Sequence, residues 1–289
     1  MTTQRPIHNQ PCRAGTRDAT QQGFTLIELV VTLTISAIMA IGVISYIGDA
    51  VDGFSASSSR SKLAASGRVA VDRMAAELYN AVPNSLRVSP DGQCLEFLPV
   101  LAATTYIDPA FEAENQTFDA VAPASADYSD VAYAIIFPID AAGLYHANST
   151  GSLARVDSIG PGEESDGDVI TVDLAAPHKF ERRSPVNRLY LASEPVSFCV
   201  TDNLLFRYHG YGQEYTGPSA TQCTPATCLP DQLPQRVLIS GPLNNTGLAT
   251  FRVEPATLRR NALAAIHLNF SESGDIVNLR HEVMIRNVP

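Results

Sequence analysis

A carboxylate beside a long apolar run is the first group in this chain whose position suggests chemistry. Glu28 directly precedes residues 29–47, which are nineteen residues without a charged side chain. A helix needs about 20 apolar residues to cross the hydrocarbon core of a bilayer. A carboxylate at the edge of such a helix is costly unless a partner neutralises it. The sequence therefore predicts a membrane-spanning segment at about 27–47 and a functional role for Glu28.

The stretch around Glu28 reads Gly-Phe-Thr-Leu-Ile-Glu-Leu-Val-Val from Gly23 to Val31. It resembles the processing site of type IV prepilins and type II secretion pseudopilins. The resemblance implies that a membrane prepilin peptidase cuts between Gly23 and Phe24 on the cytoplasmic side and then N-methylates the new amine of Phe24. It also implies that the helix first anchors the subunit in the inner membrane and then packs among its copies in a filament.

Two roles for Glu28 follow from this setting. In the first, the carboxylate pairs with the amine of Phe24, either its own before assembly or that of a neighbouring subunit in the filament. In the second, Glu28 only stabilises the first turn of the helix, where negative charge is favoured, and stays at the level of the headgroups. An ordinary signal anchor is the plain alternative for the whole segment, but it does not explain Gly23, Phe24 and Glu28 together.

Later stretches resemble one group within the pilin-like family, the O-type minor pilins of the mannose-sensitive haemagglutinin (MSHA) pilus. They are Ala70–Pro83, Val196–Tyr211 and the ending Glu282–Pro289. J-type pseudopilins of type II secretion and W-type minor pilins share the same plan. The resemblance implies a low-copy structural subunit that acts in assembly or at the tip of a pilus, with an adhesive tip module for a surface or glycan as an alternative.

The same resemblance implies partners and a location. The partners are other pilins and minor pilins, the prepilin peptidase, an inner-membrane assembly platform and the lipid bilayer. The expected topology is single-pass in the bacterial inner membrane, with the N-terminus cytoplasmic and the C-terminal domain periplasmic, followed by incorporation into a pilus at the cell surface. The excess of arginine before the apolar run agrees with this orientation.

The predicted organisation is a cleaved leader at 1–23, a long N-terminal helix at 24–83 and a β-rich periplasmic domain at 84–289. The fold class is α+β, a type IV pilin-like fold with the amphipathic half of the helix on an antiparallel sheet. In that half, apolar or small residues recur at helical spacing, and they are Leu63, Gly67, Val71, Met74, Leu78 and Val82. Arg73 and Glu77 form an i, i+4 pair on the other face.

After Asn84 the pattern changes to short strands and turns. The strand candidates are 93–100, 131–138, 168–174, 196–201, 204–209, 236–239, 250–254, 264–270 and 276–286. Asp202-Asn203 is predicted to be a hairpin turn. The polar or Gly/Pro-containing segments 102–130, 140–167 and 210–235 are predicted to be surface loops. His281 lies on the apolar face of the last strand and is expected to be a hydrogen-bonded core residue.

Four cysteines follow the leader, at positions 94, 199, 223 and 228, and an even number in a periplasmic domain favours disulfides. Three pairings exist. We favour Cys223–Cys228, which closes a short loop containing proline, and this choice leaves Cys94–Cys199 between two strand candidates. The rival interpretation is a metal site formed by Cys223, Cys228 and a histidine such as His209, for which the spacing is loose.

The acidic loop at 162–168 is the only other cluster with the chemistry of a ligand site. Its carboxylates are Glu163, Glu164, Asp166 and Asp168. Calcium prefers such oxygen ligands, but the spacing matches no EF-hand, and most such runs are solvated turns. No cofactor is therefore predicted, with calcium as the one weak candidate.

The remaining motifs and the net charge argue against two classes of function. The sequence has no Gly-x-Ser-x-Gly elbow, no His-Glu-x-x-His and no phosphate-binding loop, so we do not expect an enzyme. The formal charge is −10, and it would be −12 without residues 1–23. Nucleic acid is not an expected partner, because its phosphates require basic contacts.

Overall fold

The computed structural model places one long helix before a chain of short strands. It describes residues 23–109, 111–123, 127–145, 149–162, 168–211, 236–256, 260–272 and 274–285. Helix α1 runs from Leu26 to Tyr79. The chain divides into two compact units, one up to Ser55 and one from Ala56 onwards.

The β-strands described in the second unit range from 2 to 12 residues and pair almost entirely antiparallel. In chain order the elements after α1 are β1 (Arg87–Val88), β2 (Cys94–Phe97), β3 (Val100–Ile107), β4 (Asn115–Val121), β5 (Tyr133–Ile136), helix α2 (Ala141–Leu144), β6 (Thr150–Gly151), β7 (Leu153–Pro161), β8 (Val169–Phe180), β9 (Arg188–Ala192), β10 (Val196–Thr201), β11 (Leu204–Tyr208), β12 (Arg236–Ser240), β13 (Phe251–Glu254), β14 (Leu263–Glu272) and β15 (Asp275–Met284). The predicted α+β class with a long N-terminal helix is confirmed.

Two antiparallel sheets bury the apolar stripe of α1. One has the order β1-β2-β10-β11-β12 and the other the order β13-β14-β15. The stripe residues Leu63, Val71, Met74 and Leu78 share a core with Phe97, Phe198, Ile266 and Phe270 of the sheets. Met74 and Leu78 are fully buried, and each such side chain contributes about 1.5–3 kcal/mol. The prediction that this face of α1 packs on the protein's own sheet is confirmed.

A closed barrel is inserted between β2 and β10. Its strands pair in the circuit β4-β3-β9-β5-β7-β8, and β8 pairs again with β4. Side chains alternate between the barrel interior and its outer face, as the period of two requires. On β5, for example, Ala134 and Ile136 belong to the interior cluster, whereas Tyr133 and Ile135 pack outside with Val82 and Leu98.

The barrel corrects the prediction of surface loops at 102–130 and 140–167. These segments contain most of β3, all of β4 and all of β7, and β9 was also absent from the strand candidates. The interior positions of these strands include small residues such as Ala120 and Ala154, and β7 contains Gly160 and Pro161. Such sequences give a weak periodic signal, and only pairing between distant strands reveals them. The third predicted loop, 210–235, lies almost wholly outside the described residues.

Tight turns set the register of the first sheet. Asp202 and Asn203 have φ values of 50° and 63°, which fits a two-residue hairpin turn with both central residues in the left-handed region. They join β10 to β11 with Thr201 opposite Leu204, and the predicted hairpin is confirmed. The last two strand candidates, 264–270 and 276–286, are confirmed as β14 and β15, which pair antiparallel from Leu263–Met284 to Glu272–Asp275.

Candidate assembly segment

The N-terminus of α1 is capped by the side chain of Thr25. The Thr25 Oγ1 accepts a hydrogen bond of 3.3 Å from the backbone N–H of Glu28, and the Thr25 carbonyl accepts one of 3.1 Å from Leu29 N–H. Threonine is a favoured cap because its oxygen satisfies one of the free N–H groups of the first turn. Thr-x-x-Glu is also the pattern of a capping box. Glu28 therefore lies in the first turn, where the helix dipole favours its negative charge.

The part of α1 that precedes Ser55 exposes an almost continuous apolar surface. In the isolated chain Phe24 is 77% exposed and Ile38 71% exposed. By length and composition this helix could cross a membrane, with a mean hydropathy of 2.3 in its most apolar window. Thr32 and Thr34 satisfy their hydroxyls within the helix by donating to the carbonyls of Leu29 and Val31. An apolar surface of this extent must be shielded from water, as it is when lipid or neighbouring helices surround it.

The residues predicted for processing lie together in this exposed stretch. Gly23 and Phe24 precede the capping Thr25, and Glu28 follows it within one turn. All three predicted residues are exposed. Cleavage, methylation and pairing with an amine stay predictions, but the segment is placed so that a membrane enzyme or another helix can reach it.

The predicted disulfide Cys94–Cys199 is present. Cys94 of β2 lies directly opposite Cys199 of β10, and both cysteines are buried beside Tyr208 and Tyr211. The bond thus joins two strands that are neighbours in the sheet, although the barrel lies between them in the sequence. Cys223 and Cys228 lie outside the described residues, so their pairing and the rival metal site stay predictions.

A buried carboxylate in β2 was not predicted from the sequence. Glu96 is 1% exposed, forms an ion pair with Arg87 of β1 and accepts a hydrogen bond of 2.8 Å from the Tyr211 hydroxyl. Ser197 Oγ shares a further hydrogen bond of 2.7 Å with that hydroxyl. Burial, together with the Glu96 charge, raises the pKa of Tyr211 well above its ordinary value. The signal in the sequence was a glutamate inside the apolar run Cys-Leu-Glu-Phe-Leu.

Neither the acidic loop nor the histidines form a ligand site in the part of the chain that is described. Glu163, Glu164 and Asp166 lie outside that part, and Asp168 is exposed just before β8. Across the described ranges no group of three His, Cys, Asp or Glu residues is placed to hold a metal ion. Calcium binding at 163–168 therefore stays a prediction.

The expectation for His281 was wrong. It lies on β15 opposite Ile266, but its side chain is exposed, whereas Val283 and Ile285 further along are buried. β15 is the outer strand of its three-stranded sheet, so the alternating pattern continues to a position that no neighbouring element of the described chain covers.

His209 is only partly buried, and its pKa is lowered by burial and by the charge of Arg207, against the opposing effect of Glu77.

Comparison with known families agrees with the N-terminal segment. Residues 18–44 match the family model described as the prokaryotic N-terminal methylation motif. The match covers the leader end, Gly23, Phe24, Glu28 and most of the apolar run. Comparison of the chain with curated proteins and with solved structures gives no match. The chain therefore carries a prepilin-type N-terminus, which supports a pilin-like or pseudopilin-like protein anchored by this helix.

Proposed function

We propose that the chain is a minor pilin of the MSHA type, a low-copy subunit that acts in the assembly or at the tip of a type IV pilus. One observation carries the proposal: the methylation motif at residues 18–44 coincides with the capped and exposed start of α1. The same motif supports processing by a prepilin peptidase, and it favours a structural role over a catalytic one.

In this proposal the exposed apolar surface of α1 is surrounded first by lipid and later by neighbouring helices. Before assembly it lies in the bilayer, because the run of nineteen uncharged residues is apolar on all sides of the helix and about long enough to cross the hydrocarbon core. During assembly the helices of neighbouring subunits replace the lipid. Ser36, Ala37 and Ala40 are small enough to let those helices approach closely. The assembly platform and the peptidase act on the cytoplasmic end, and the domain from Ala56 onwards faces the periplasm.

The test begins with the mature N-terminus. Mass spectrometry of the protein extracted from membranes should identify a chain that starts at methylated Phe24. Gly23→Leu should retain the leader, whereas Gly53→Leu, a matched change further along the same helix, should be cleaved normally. A mature chain that starts at Met1 or after residue 47 would overturn the proposal.

The second part of the test separates the pilus from a secretion system. A strain that lacks the gene should lose filaments and recover them when the wild-type gene is restored. Failed export of enzymes with normal attachment would instead identify a J-type secretion pseudopilin. Normal filaments with lost attachment would identify an adhesive module. This function is the second candidate because the inserted barrel and its loops are not needed to bury α1 and are thus available for binding.

A further inference from the structure

A polar groove lies where three loops of the second unit meet. The loops are the turn at 91–93 before β2, the hairpin turn at 202–203 and the loop at 245–249 before β13. The groove has a volume of about 380 Å³, which is within the range of sites for small organic ligands and far larger than the space of one water molecule. None of the residues that line it belongs to α1, so the groove is separate from the segment on which the proposed assembly function rests.

Hydrogen bonds hold the loops of this groove in fixed positions. Gln93 donates to the Leu248 carbonyl over 2.6 Å and accepts from the Thr250 hydroxyl over 2.9 Å. Asn245 is 3% exposed; it donates to Thr250 and to the His267 carbonyl and accepts from Asn269 N–H. Both amide side chains are therefore engaged in holding the loops together, and the groove is preformed.

Backbone conformation fixes the loops further. Gly92 has a φ of 69°, and a Cβ at this position would lie 2.6 Å from the Cβ of Ala249, so the turn at 91–93 is in close contact with the loop at 245–249. Phe251 N–H donates to the Gly92 carbonyl over 2.9 Å. Leu243 N–H donates to the Asn203 carbonyl over 2.8 Å, which ties the hairpin turn to the segment before the third loop. A rigid site of this kind has little ordering cost when a ligand binds.

Several polar groups on the groove are left for a ligand. The side chains of Asp202, Asn203 and Thr246 are exposed and form no hydrogen bond or ion pair with the described part of the chain. Asp91 uses its Oδ1 to accept from Ser89 and from Gln93 N–H, and within the described ranges no such bond involves its second oxygen. Leu248, which is 52% exposed, adds an aliphatic surface.

We infer that this groove binds a neutral, hydroxyl-rich ligand, such as a hexose unit of a polysaccharide. The carboxylates accept from hydroxyl groups, the Asn203 amide and the Thr246 hydroxyl both donate and accept, and Leu248 and Val200 meet the C–H face of a sugar ring. An anionic ligand does not fit, because none of the described residues that line the groove is Lys, Arg or His. A bare cation would use only acceptors and would leave the donors and most of the volume unused.

Binding of the processed full chain in detergent to a glycan array tests the inference. The array carries neutral, sulfated and sialylated oligosaccharides, and calcium chloride and a lysine-rich peptide are titrated separately. We expect retention of one or more neutral glycans. Retention of sulfated or sialylated glycans alone, or a response to calcium or to the peptide without any neutral glycan, would overturn the inference.

Variants that preserve the hairpin turn locate the site. Asp202→Asn and Asn203→Gly keep residue types that tolerate a positive φ, so the fold should be unchanged by circular dichroism and thermal melting. Each should weaken binding of the retained neutral glycan by about tenfold or more, the effect of losing one or two hydrogen bonds. Asp157→Asn makes the same charge change on an exposed position of β7 away from the groove and should bind normally. Equal binding by all variants would place the ligand elsewhere and refute the site. Normal entry of Asp202→Asn into filaments would show that assembly does not depend on this groove.

Discussion

Glu77 and Arg207 join the helix to the first sheet. Glu77 Oε2 lies 2.7 Å from Arg207 Nε, although the two residues are 130 positions apart in the sequence. Arg73 contacts the other oxygen of the same carboxylate over 3.4 Å. The side chains of Glu77 and Arg207 are 25% and 20% exposed, so solvent screens this pair less than a surface pair.

Glu77→Gln should lower the free energy of unfolding by about 1–2 kcal/mol, because a partly buried guanidinium loses its charged acceptor. Arg207→Gln should have a similar effect. A double-mutant cycle measured by chemical denaturation of the mature chain in detergent should give a coupling energy of about 0.5 kcal/mol or more, the usual range for contacting residues. Arg68→Gln on the exposed face of α1 is the control and should be near neutral. Additive effects of the two substitutions would show that the contact does not contribute to stability.

Gly67 is a position where α1 packs closely against the second sheet. A Cβ there would lie 2.7 Å from Phe270 Cε2 and would also collide with Leu279 Cδ1. Gly67→Ala should destabilise the fold by about 1–3 kcal/mol through overpacking, although alanine gains up to about 1 kcal/mol in helix propensity. Far-UV circular dichroism during denaturation measures the effect.

Gly53→Ala is the matched control for that experiment. It lies in the same helix, but in the isolated chain nothing is within 4 Å of the point that a Cβ would occupy, so the propensity gain should act alone. We expect a neutral to slightly stabilising effect. Equal stability changes at positions 53 and 67 would contradict close packing at Gly67.

The sequence predicted the elements whose pattern is local and missed those that depend on distant pairing. The apolar run after Glu28 is recognisable by its length and its lack of charge, and the stripe from Leu63 to Val82 by its helical spacing, so both were predicted. The Asp202-Asn203 turn was predicted because its residue types tolerate a positive φ. The barrel was missed because β3, β7 and β9 have weak sequence patterns of their own, and only their pairing with other strands identifies them as strands. The polar groove was missed for the same reason, since its three loops lie far apart in the sequence.

The Cys94–Cys199 disulfide closes a long loop that contains the whole barrel. The two cysteines are 105 residues apart, and the chain-entropy model gives a stabilisation on the order of 4–5 kcal/mol for a loop of that length. The double variant Cys94→Ala, Cys199→Ala should therefore unfold at a markedly lower denaturant concentration. Reduction of the wild type should produce a similar shift. Free thiols at both positions in non-reducing peptide mapping would contradict the pairing.

Two buried tyrosines predict a loss of stability at alkaline pH. Burial raises the pKa of Tyr145 and of Tyr211 well above the ordinary value of 10, and the nearby Glu96 charge raises both further. In the unfolded chain both hydroxyls lose their protons near pH 10, whereas in the folded chain they keep them. Their contribution to stability is therefore complete below about pH 10 and decreases as the pH rises above it.

Denaturation midpoints at about pH 8 and about pH 11, on either side of the ordinary tyrosine pKa, measure that loss. Tyr211→Phe removes one of the two shifted groups, so its midpoint should depend less on pH over this interval, although its stability at the lower pH should be reduced because Glu96 loses a donor. Tyr46→Phe, an exposed position, should behave as the wild type. A midpoint of the wild type that is the same at both pH values would contradict the prediction.

Substitution of Glu28 tests the proposed function of the assembly segment most directly. No hydrogen bond or ion pair in the described part of the chain engages the Glu28 carboxylate, and only its backbone N–H is bound, by Thr25. The carboxylate is therefore available to pair with the amine of Phe24 in the same or a neighbouring subunit. Glu28→Ala should leave cleavage at Gly23 largely intact, because the cut is upstream. It should sharply reduce the ratio of subunit in sheared filaments to processed subunit in membranes, since loss of one member of a buried ion pair costs about 3–5 kcal/mol.

Thr25→Ala separates this role from a purely local effect on the helix. It removes the cap, which costs about 1 kcal/mol, but leaves the carboxylate and the amine in place. If Glu28 acted only on the first turn, its loss would cost under about 1 kcal/mol, and the two variants would enter filaments equally well. A filament fraction that falls for Glu28→Ala and not for Thr25→Ala identifies the charge pair, and incorporation of Glu28→Ala at the wild-type level would exclude it.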